Sequence, residues 1–357
     1  MLILTGAAWS ALVVPPSPAP AKSGPAGPTK WGTELDALAP EVKPELLLAA
    51  RIGGPDDQCL TAVQVKGTRI AAAAERNFTV FVTVKDDGTV QTSVTGNPLA
   101  RQANVRHGLS DRTVLKLGQI TYGYKQVDPV LKQPYMTGPG WKLWDWTLDD
   151  CKTSKAPYAP LTADSEVVLA AAMPNGHVFA SAKCDGGNTS LWCHPKDINT
   201  RLKFDIAQGG GGGTSSFAYE ISPQGEYVRG MVLRGFLNSV AWDRWGRVLI
   251  AGAGVLKSHL NDFGYADGAG VLLADREWKK TLFSTRIGSE DGKASFWACD
   301  VDSASGLAAM GGYVEGEKFK EVSPIQKAPG GGKDGLLVIL RLWDRQDAKA
   351  PASPAKP

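Results

Sequence analysis

The chain has 357 residues and 43% hydrophobic content, enough to bury a sizeable core in one large or two average domains. Its formal charge of +3 comes from Lys and Arg interspersed with Asp and Glu, which argues against a nucleic-acid partner. Apart from the N-terminus, no segment has the composition of a membrane-spanning helix, so no transmembrane segment is expected.

The first 21 residues have the outline of an export signal. Leu2 to Val14 is mostly apolar but too short to span a bilayer, and Ala19-Pro20-Ala21 has the small-x-small form of a cleavage site. A basic n-region is missing before Leu2. Residues 22–44, rich in Pro and Ala, are expected to form a linker, and residues 344–357 a disordered Lys/Ala/Pro tail. The sequence thus predicts a folded part over 45–343, in an exported protein located in the periplasm, at the cell surface or outside the cell.

Within that part a strand–turn–strand unit recurs five times, at intervals of roughly 50 to 70 residues. The copies run Thr61 to Ala72, Thr113 to Gly123, Val167 to Ala182, Ser239 to Gly252 and Phe296 to Gly312. Each joins an apolar strand, through a short turn containing glycine, to a second strand of small residues. Third strands are predicted at Phe78 to Val84, Trp141 to Leu148, Phe217 to Ile221, Val271 to Asp275 and Leu336 to Leu342. Fourth strands are predicted at Thr89 to Thr95, Glu226 to Arg234 and Thr281 to Ile287, with a weaker candidate near Tyr158 to Thr162. No long segment holds a 3.6-residue apolar period, which excludes a helical fold.

The fifth copy has no fourth strand of its own. Glu45 to Gly54, an orphan strand before the first copy, shares Arg-Ile-Gly with the fourth strand of copy four. The fold expected from this arrangement is all-β: a β-propeller of five four-stranded blades. Its ring is closed by the N-terminal strand (about 45–53) completing the C-terminal blade.

The motifs Ala62-Val63-Gln64-Val65-Lys66-Gly67, Val248-Leu249-Ile250-Ala251-Gly252 and Asp334-Gly335-Leu336-Leu337-Val338 carry a resemblance. They look like the bacterial β-propeller repeat family of exported and surface proteins, with repeats of the SBBP type. The resemblance covers roughly Leu46 to Trp343 and is strongest in copies four and five. It implies a scaffold and no particular activity.

Connections between second and third strands are long in four copies: Val127 to Gly140, Lys183 to Thr214, Val255 to Gly270 and Val314 to Gly335. In copy one the connection is only Glu75 to Asn77. All open onto one face, and repeat proteins place binding insertions this way. The binding candidates on that face are Tyr135, Trp192, His194, His259, Asp262 and Tyr265. The plainer alternative is that these loops are neutral decorations.

Of five cysteines, Cys184 and Cys193 flank a turn signal and are the expected disulfide; Cys59 and Cys299 are a further possible pair if the ring closes. The four histidines are scattered and no HExxH or GxSxG occurs, so no metal, cofactor or catalytic residue is expected. Glycosidase-type carboxylates would be drawn from Asp57, Asp243, Asp300 and Asp302, although Asp243 and Asp302 stand where turn caps belong. The leading expectation is a non-enzymatic scaffold that binds a protein or polysaccharide. The alternatives are a carbohydrate-active enzyme with funnel carboxylates and a structural subunit of an extracellular assembly. The oligomeric state stays open.

Overall fold

The computed structural model describes residues 39–53, 57–74, 79–95, 115–117, 120–125, 143–147, 165–175, 177–184, 192–194, 197–201, 204–207, 215–221, 227–253, 263, 268–325 and 332–345. In chain order the strands are β1 (Glu45–Ile52), β2 (Leu60–Lys66), β3 (Arg69–Ala74), β4 (Thr79–Val84), β5 (Val90–Thr95), β6 (Leu115–Leu117) and β7 (Ile120–Lys125). There follow β8 (Leu143–Thr147), β9 (Ser165–Ala172), β10 (Val178–Cys184), β11 (Trp192–His194), β12 (Asp197–Arg201), β13 (Ser215–Ile221) and β14 (Tyr227–Arg234). The last are β15 (Phe236–Trp242), β16 (Val248–Ala253), β17 (Ala269–Ala274), β18 (Thr281–Ile287), β19 (Ala294–Val301), β20 (Leu307–Glu315) and β21 (Lys333–Arg341).

Consecutive strands pair antiparallel into meanders: β2-β3-β4-β5, the three-stranded β6-β7-β8, and β9-β10-β13-β14. The largest sheet runs β1-β21-β20-β19-β16-β17-β18, with β15 pairing β16 off that path. The N-terminal strand does pair with the last one, from Glu45 opposite Arg341 to Ile52 opposite Gly335. The outward end of this pairing carries an ion pair, Arg341 Nη1 to Glu45 Oε2 at 2.8 Å.

The expectation of a closed ring of five four-stranded blades is corrected by this topology. The two C-terminal meanders are one curled sheet, joined where Ala253 bridges Ser295. That sheet is open, ending in β1 and β18, and β1 is not available for further closure. Its outer edge is taken by the β20–β21 connection, through Ala49 N–H to the Val322 carbonyl (2.9 Å) and Val322 N–H to the Ala49 carbonyl (2.8 Å). This bridge interrupts the outer edge of β1 near its middle and stands in the way of a continuous ladder there. The β6–β8 sheet contributes three strands, and the fourth expected near Tyr158 to Thr162 lies outside the described residues.

Among the described residues three apolar cores are seen, two of them between sheets. One joins β2–β4 to β1, β20 and β21 through Leu60, Val63, Val80, Leu337 and Ile339. The second lies within the curled sheet around Leu249, Phe283, Phe296, Val338 and Trp343. The third sets Phe179, Met231 and Leu233 against Ile250, Leu272 and Trp278. Apolar burial of this kind is the main favourable contribution to folding.

The small residues of the second strands have a local cause. In the first strand of each C-terminal meander a register shift interrupts the ladder, between Leu237 and Ser239 in β15 and between Phe296 and Ala298 in β19. Each bulge pushes its backbone toward a glycine on the next strand. A Cβ at Gly252 would lie 1.7 Å from the Phe236 carbonyl oxygen, and one at Gly312 would lie 1.9 Å from that of Ser295. Gly312→Val is therefore expected to destabilise the fold by about 1–3 kcal/mol or more, because the obstacle is backbone and cannot rotate away. A urea-unfolding midpoint equal to that of the unsubstituted chain would rule this out.

The disulfide expectation is also corrected: no disulfide is present among the described residues, where Cys59 and Cys299 are both thiols. Cys299 is fully buried beside the Ser239 hydroxyl, 3.4 Å from its sulfur. Burial pushes its thiol up to about 12, which makes the reactive thiolate scarce at neutral pH. Cys184 and Cys193 lie on β10 and β11, in strands whose side chains here are outside the described residues.

Candidate functional site

The two ends of the meanders differ in character. At one end lie the short turns, and nearly every one is closed by an Asx side chain that accepts backbone N–H groups. Asp243 Oδ1 accepts from Trp245 and Arg247, Asp275 Oδ1 from Lys279 and Lys280, and Asp302 Oδ1 from Ala304 and Ser305. Asn175 accepts from His177 and Asp87 from Thr89 in the same way. Gly246 (φ 80°) and Gly306 (φ 72°) complete two of these turns in the left-handed region.

Neighbouring turns are stitched together. Arg229 Nη1 donates to the Arg276 carbonyl, Arg244 N–H donates to Ser303 Oγ at 2.8 Å, and Gly67 N–H donates to Asp302. Three of the four carboxylates considered for glycosidase chemistry are thereby used by the backbone. Asp243 and Asp302 cap turns, and Asp300 Oδ2 accepts from Val65 N–H of β2 at 2.7 Å. Asp57 is exposed.

Two buried charge clusters sit at this end. Asp243 Oδ2 lies 2.5 Å from Arg247 Nε, and Arg247 also donates from Nη1 to the Pro40 carbonyl at 2.9 Å. The Arg247 guanidinium lies over the Trp343 ring at 4.2 Å and the Trp245 ring at 4.9 Å. Burial pushes the Asp243 carboxyl up, against the opposing pull of Arg247 and the two backbone N–H groups.

The second cluster is centred on Glu220, whose Oε1 accepts from Asn175 Nδ2 at 2.9 Å and lies 2.6 Å from His177 Nδ1. Glu220 Oε2 accepts from Arg229 Nε at 2.6 Å, and Arg229 lies over the Trp278 ring at 5.0 Å. Burial pushes the Glu220 carboxyl up, but His177, Arg229 and Asn175 together outweigh it and hold the carboxyl below its ordinary range. A depressed carboxyl contributes stability that is present above its unfolded-state value and is lost as pH falls through its folded-state value. Unfolding midpoints of Glu220→Gln and the unsubstituted chain are therefore expected to differ at pH 7 and to converge as pH falls below the ordinary glutamate range. Parallel profiles across that range would show that Glu220 does not supply the acid sensitivity.

Between this end and the N-terminal segment lies a shallow, open cleft of about 600 Å³. One wall is the strap Ala39 to Val42; the other is formed by Arg247, residues 275–277 and Lys280 to Leu282. Composition assigns the strap to the linker, yet Ala39 and Val42 pack against the curled sheet. Lys43 N–H donates to the Leu342 carbonyl at 2.7 Å, holding the strap beside the last strand. Bases and acids alternate around the cleft, so it carries no field of a single sign.

The opposite end bears the long connections. Of the six binding candidates, Tyr135, His259, Asp262 and Tyr265 lie outside the described residues. Trp192 and His194 stand at the two ends of β11, whose backbone pairs with β12, Trp192 opposite Arg201 and His194 opposite Asp197. The β10–β13 connection thus contains a two-stranded hairpin of its own. Its return leg is anchored where Val232 N–H donates to the Ile206 carbonyl at 3.0 Å. The sequence reading did not find the strap cleft, and the only local signal for it was Val42 within a Pro-rich stretch.

No family model matches this sequence, and no curated protein matches it. Among solved structures, the WD40 β-propeller domain of Doa1 is 11% identical, covering 83% of this chain and 97% of its own, with a TM-score of 0.31. The β-propeller domain of Myceliophteria thermophila Cps50 (Swd1) is 10% identical over 83% of this chain and 99% of its own, with a TM-score of 0.29. Pseudomonas fluorescens PhoX in complex with vanadate is 12% identical over 80% of this chain and 53% of its own, with a TM-score of 0.28. Scores of this size define neither the fold nor the activity of this chain, and nothing ties it to the SBBP-type repeats. The architecture rests on the strand pairing itself, an all-β assembly of antiparallel meanders. No helix among the described residues is long and apolar enough to cross a membrane.

Proposed function

We propose that this chain is a non-enzymatic, exported binding scaffold that engages a protein or surface polysaccharide through the long connections between second and third strands. The observation that carries this reading is the β11–β12 hairpin. It is a two-stranded insertion within the β10–β13 connection, followed by Ile206, whose carbonyl accepts from Val232 N–H. Trp192 and His194 belong to that hairpin, and in sequence Tyr135, His259, Asp262 and Tyr265 fall in two other long connections between second and third strands. Aromatic and histidine side chains on rigid supports are effective contact residues, because little conformational entropy is lost on binding. Export is supported by the apolar run Leu2 to Val14 and the Ala19-Pro20-Ala21 sequence after it.

The test replaces residues 185–203 with a short Gly/Ser turn, leaving the Ile206 anchor in place. Purified wild type and variant are compared on arrays of cell-surface glycans and in capture of proteins from native culture supernatant. The variant is expected to fold, as judged by circular dichroism, and to lose ligands that the wild type retains. Identical capture by the two proteins would refute the reading. Fractionation of cells producing the full-length chain tests export separately.

A further inference from the structure

The long connections have a second use, and β5 is an edge strand that does not share in it. Two sheet edges are each bridged at one residue by the long connection of their own meander. Val322 of the β20–β21 connection pairs with Ala49 on β1, and Ala207 of the β10–β13 connection pairs with Val232 on β14. Both β1 and β14 are the outer strands of their sheets, so each loop occupies N–H and C=O groups that would otherwise face outward. The sheet β2-β3-β4-β5 cannot do this, because its β3–β4 connection is only residues 75–78, too short to return across β4 to β5. Among the described residues β5 pairs only with β4.

The exposed strand has none of the features that normally protect an edge. Val90-Gln91-Thr92-Ser93-Val94-Thr95 carries no charge and no proline, and its register with β4 runs without a bulge from Val84–Val90 to Thr79–Thr95. Gln91, Thr92, Ser93 and Val94 are all exposed. Two of the three large hydrophobic side chains exposed among the described residues lie on this sheet, Val94 at 52% and Phe81 at 38%.

We infer that β5 pairs with β5 of a second copy of this chain, forming an antiparallel, two-fold symmetric dimer with a continuous eight-stranded sheet. A two-fold axis perpendicular to the sheet keeps each face on its own side, so paired residues must share parity in sequence. The register centred on Thr92 satisfies this rule and matches like with like. Thr92 meets Thr92 of the second copy, Val90 meets the second copy's Val94, and Gln91 meets the second copy's Ser93. The valine pairs fall on one face and the Gln–Ser pairs on the other, and each exposed Val94 is covered by a Val90. No charge opposes a like charge anywhere along the strand, which the strap and turn segments, with their lysines and carboxylates, would not permit.

Sedimentation of the full chain over a hundredfold concentration range is expected to show a reversible dimer. Thr92→Lys sets two ammonium groups against each other at the axis and is expected to weaken that dimer at least about tenfold, with an unchanged circular dichroism spectrum. Thr92→Cys provides a second measure that does not depend on charge. Mild oxidation is expected to link two copies through it, whereas Ser93→Cys, off the axis and on the other face, is expected to remain at the wild-type level. A chain that stays monomeric throughout, or a dimer indifferent to Thr92→Lys and not linked through Thr92→Cys, overturns the inference. Hydrogen exchange identifies the remaining occupant: by the alternation of the β4–β5 ladder the Thr92 and Val94 N–H groups point away from β4, and slow exchange at these two in a monomer means that the chain covers this edge itself, which also overturns it.

Discussion

Asp243→Ala is expected to lower the folding free energy by about 3–5 kcal/mol, the usual cost of removing one partner from a buried ion pair. The substitution leaves the Arg247 guanidinium buried without its counter-charge and removes the acceptor for two turn N–H groups, those of Trp245 and Arg247. It is also expected to loosen the strap, because Asp243 fixes from one side the guanidinium that donates to the Pro40 carbonyl from the other. Urea unfolding measures the loss as a shift in midpoint at constant slope. Adding Arg247→Leu to Asp243→Ala is expected to recover part of it, since the uncompensated charge is then gone and an apolar side chain faces Trp245 and Trp343. A loss below about 1 kcal/mol in the single variant would mean that the pair is solvated in solution.

Trp343→Ala is expected to cost a similar amount, about 3–5 kcal/mol, through the cavity left by a buried indole. Trp343 is 1% exposed, meets Trp245 edge to face at 5.6 Å and donates from Nε1 to the Ser303 carbonyl at 3.2 Å. It also lies beneath the Arg247 guanidinium. Trp343 and Asp243 therefore share Arg247 as a neighbour, and their effects are expected not to add. A double variant losing less than the sum of the two single losses would show the coupling, and strict additivity would show that the cation above the ring contributes little. Both positions close the same turn-bearing end, where Gly306 must lie against the Trp343 backbone and a Cβ would come within 2.0 Å of its carbonyl oxygen.

Much of the strand pattern was legible because it is local. Alternation and turn chemistry mark β15 to β18 within three residues of their positions, since Asp243, Gly246 and Asp275 close turns with their immediate neighbours. The pairing of the N-terminal strand with the last one was legible for a different reason. An unmatched strand at one end of the chain and a missing strand at the other leave few other partners. The candidate site was less legible. The strap is a Pro-rich segment whose role depends on Arg247, 207 residues away in the chain, and no local pattern encodes that contact. The Glu220 cluster likewise joins Glu220 and Arg229 of the β13–β14 pair to Asn175 and His177 of the β9–β10 turn, about 45 residues earlier in the chain.

By itself, the amino-acid sequence determined the all-β class, the five strand–turn–strand units and the turn-capping role of Asp243 and Asp302. Those features follow from period-two alternation and from hydrogen bonds spanning a few residues. The tertiary structure alone decided how the meanders combine. It merged the two C-terminal units into one open curled sheet through Ala253 and Ser295, and it laid the long connections over β1 and β14. Among the described residues it paired β5 on one side only, with β4. Such choices depend on which backbone N–H and C=O groups remain unpaired after the meanders form, and on which segments are long enough to reach them. Both are properties of the assembled molecule, set by distances in space and not by neighbours along the chain.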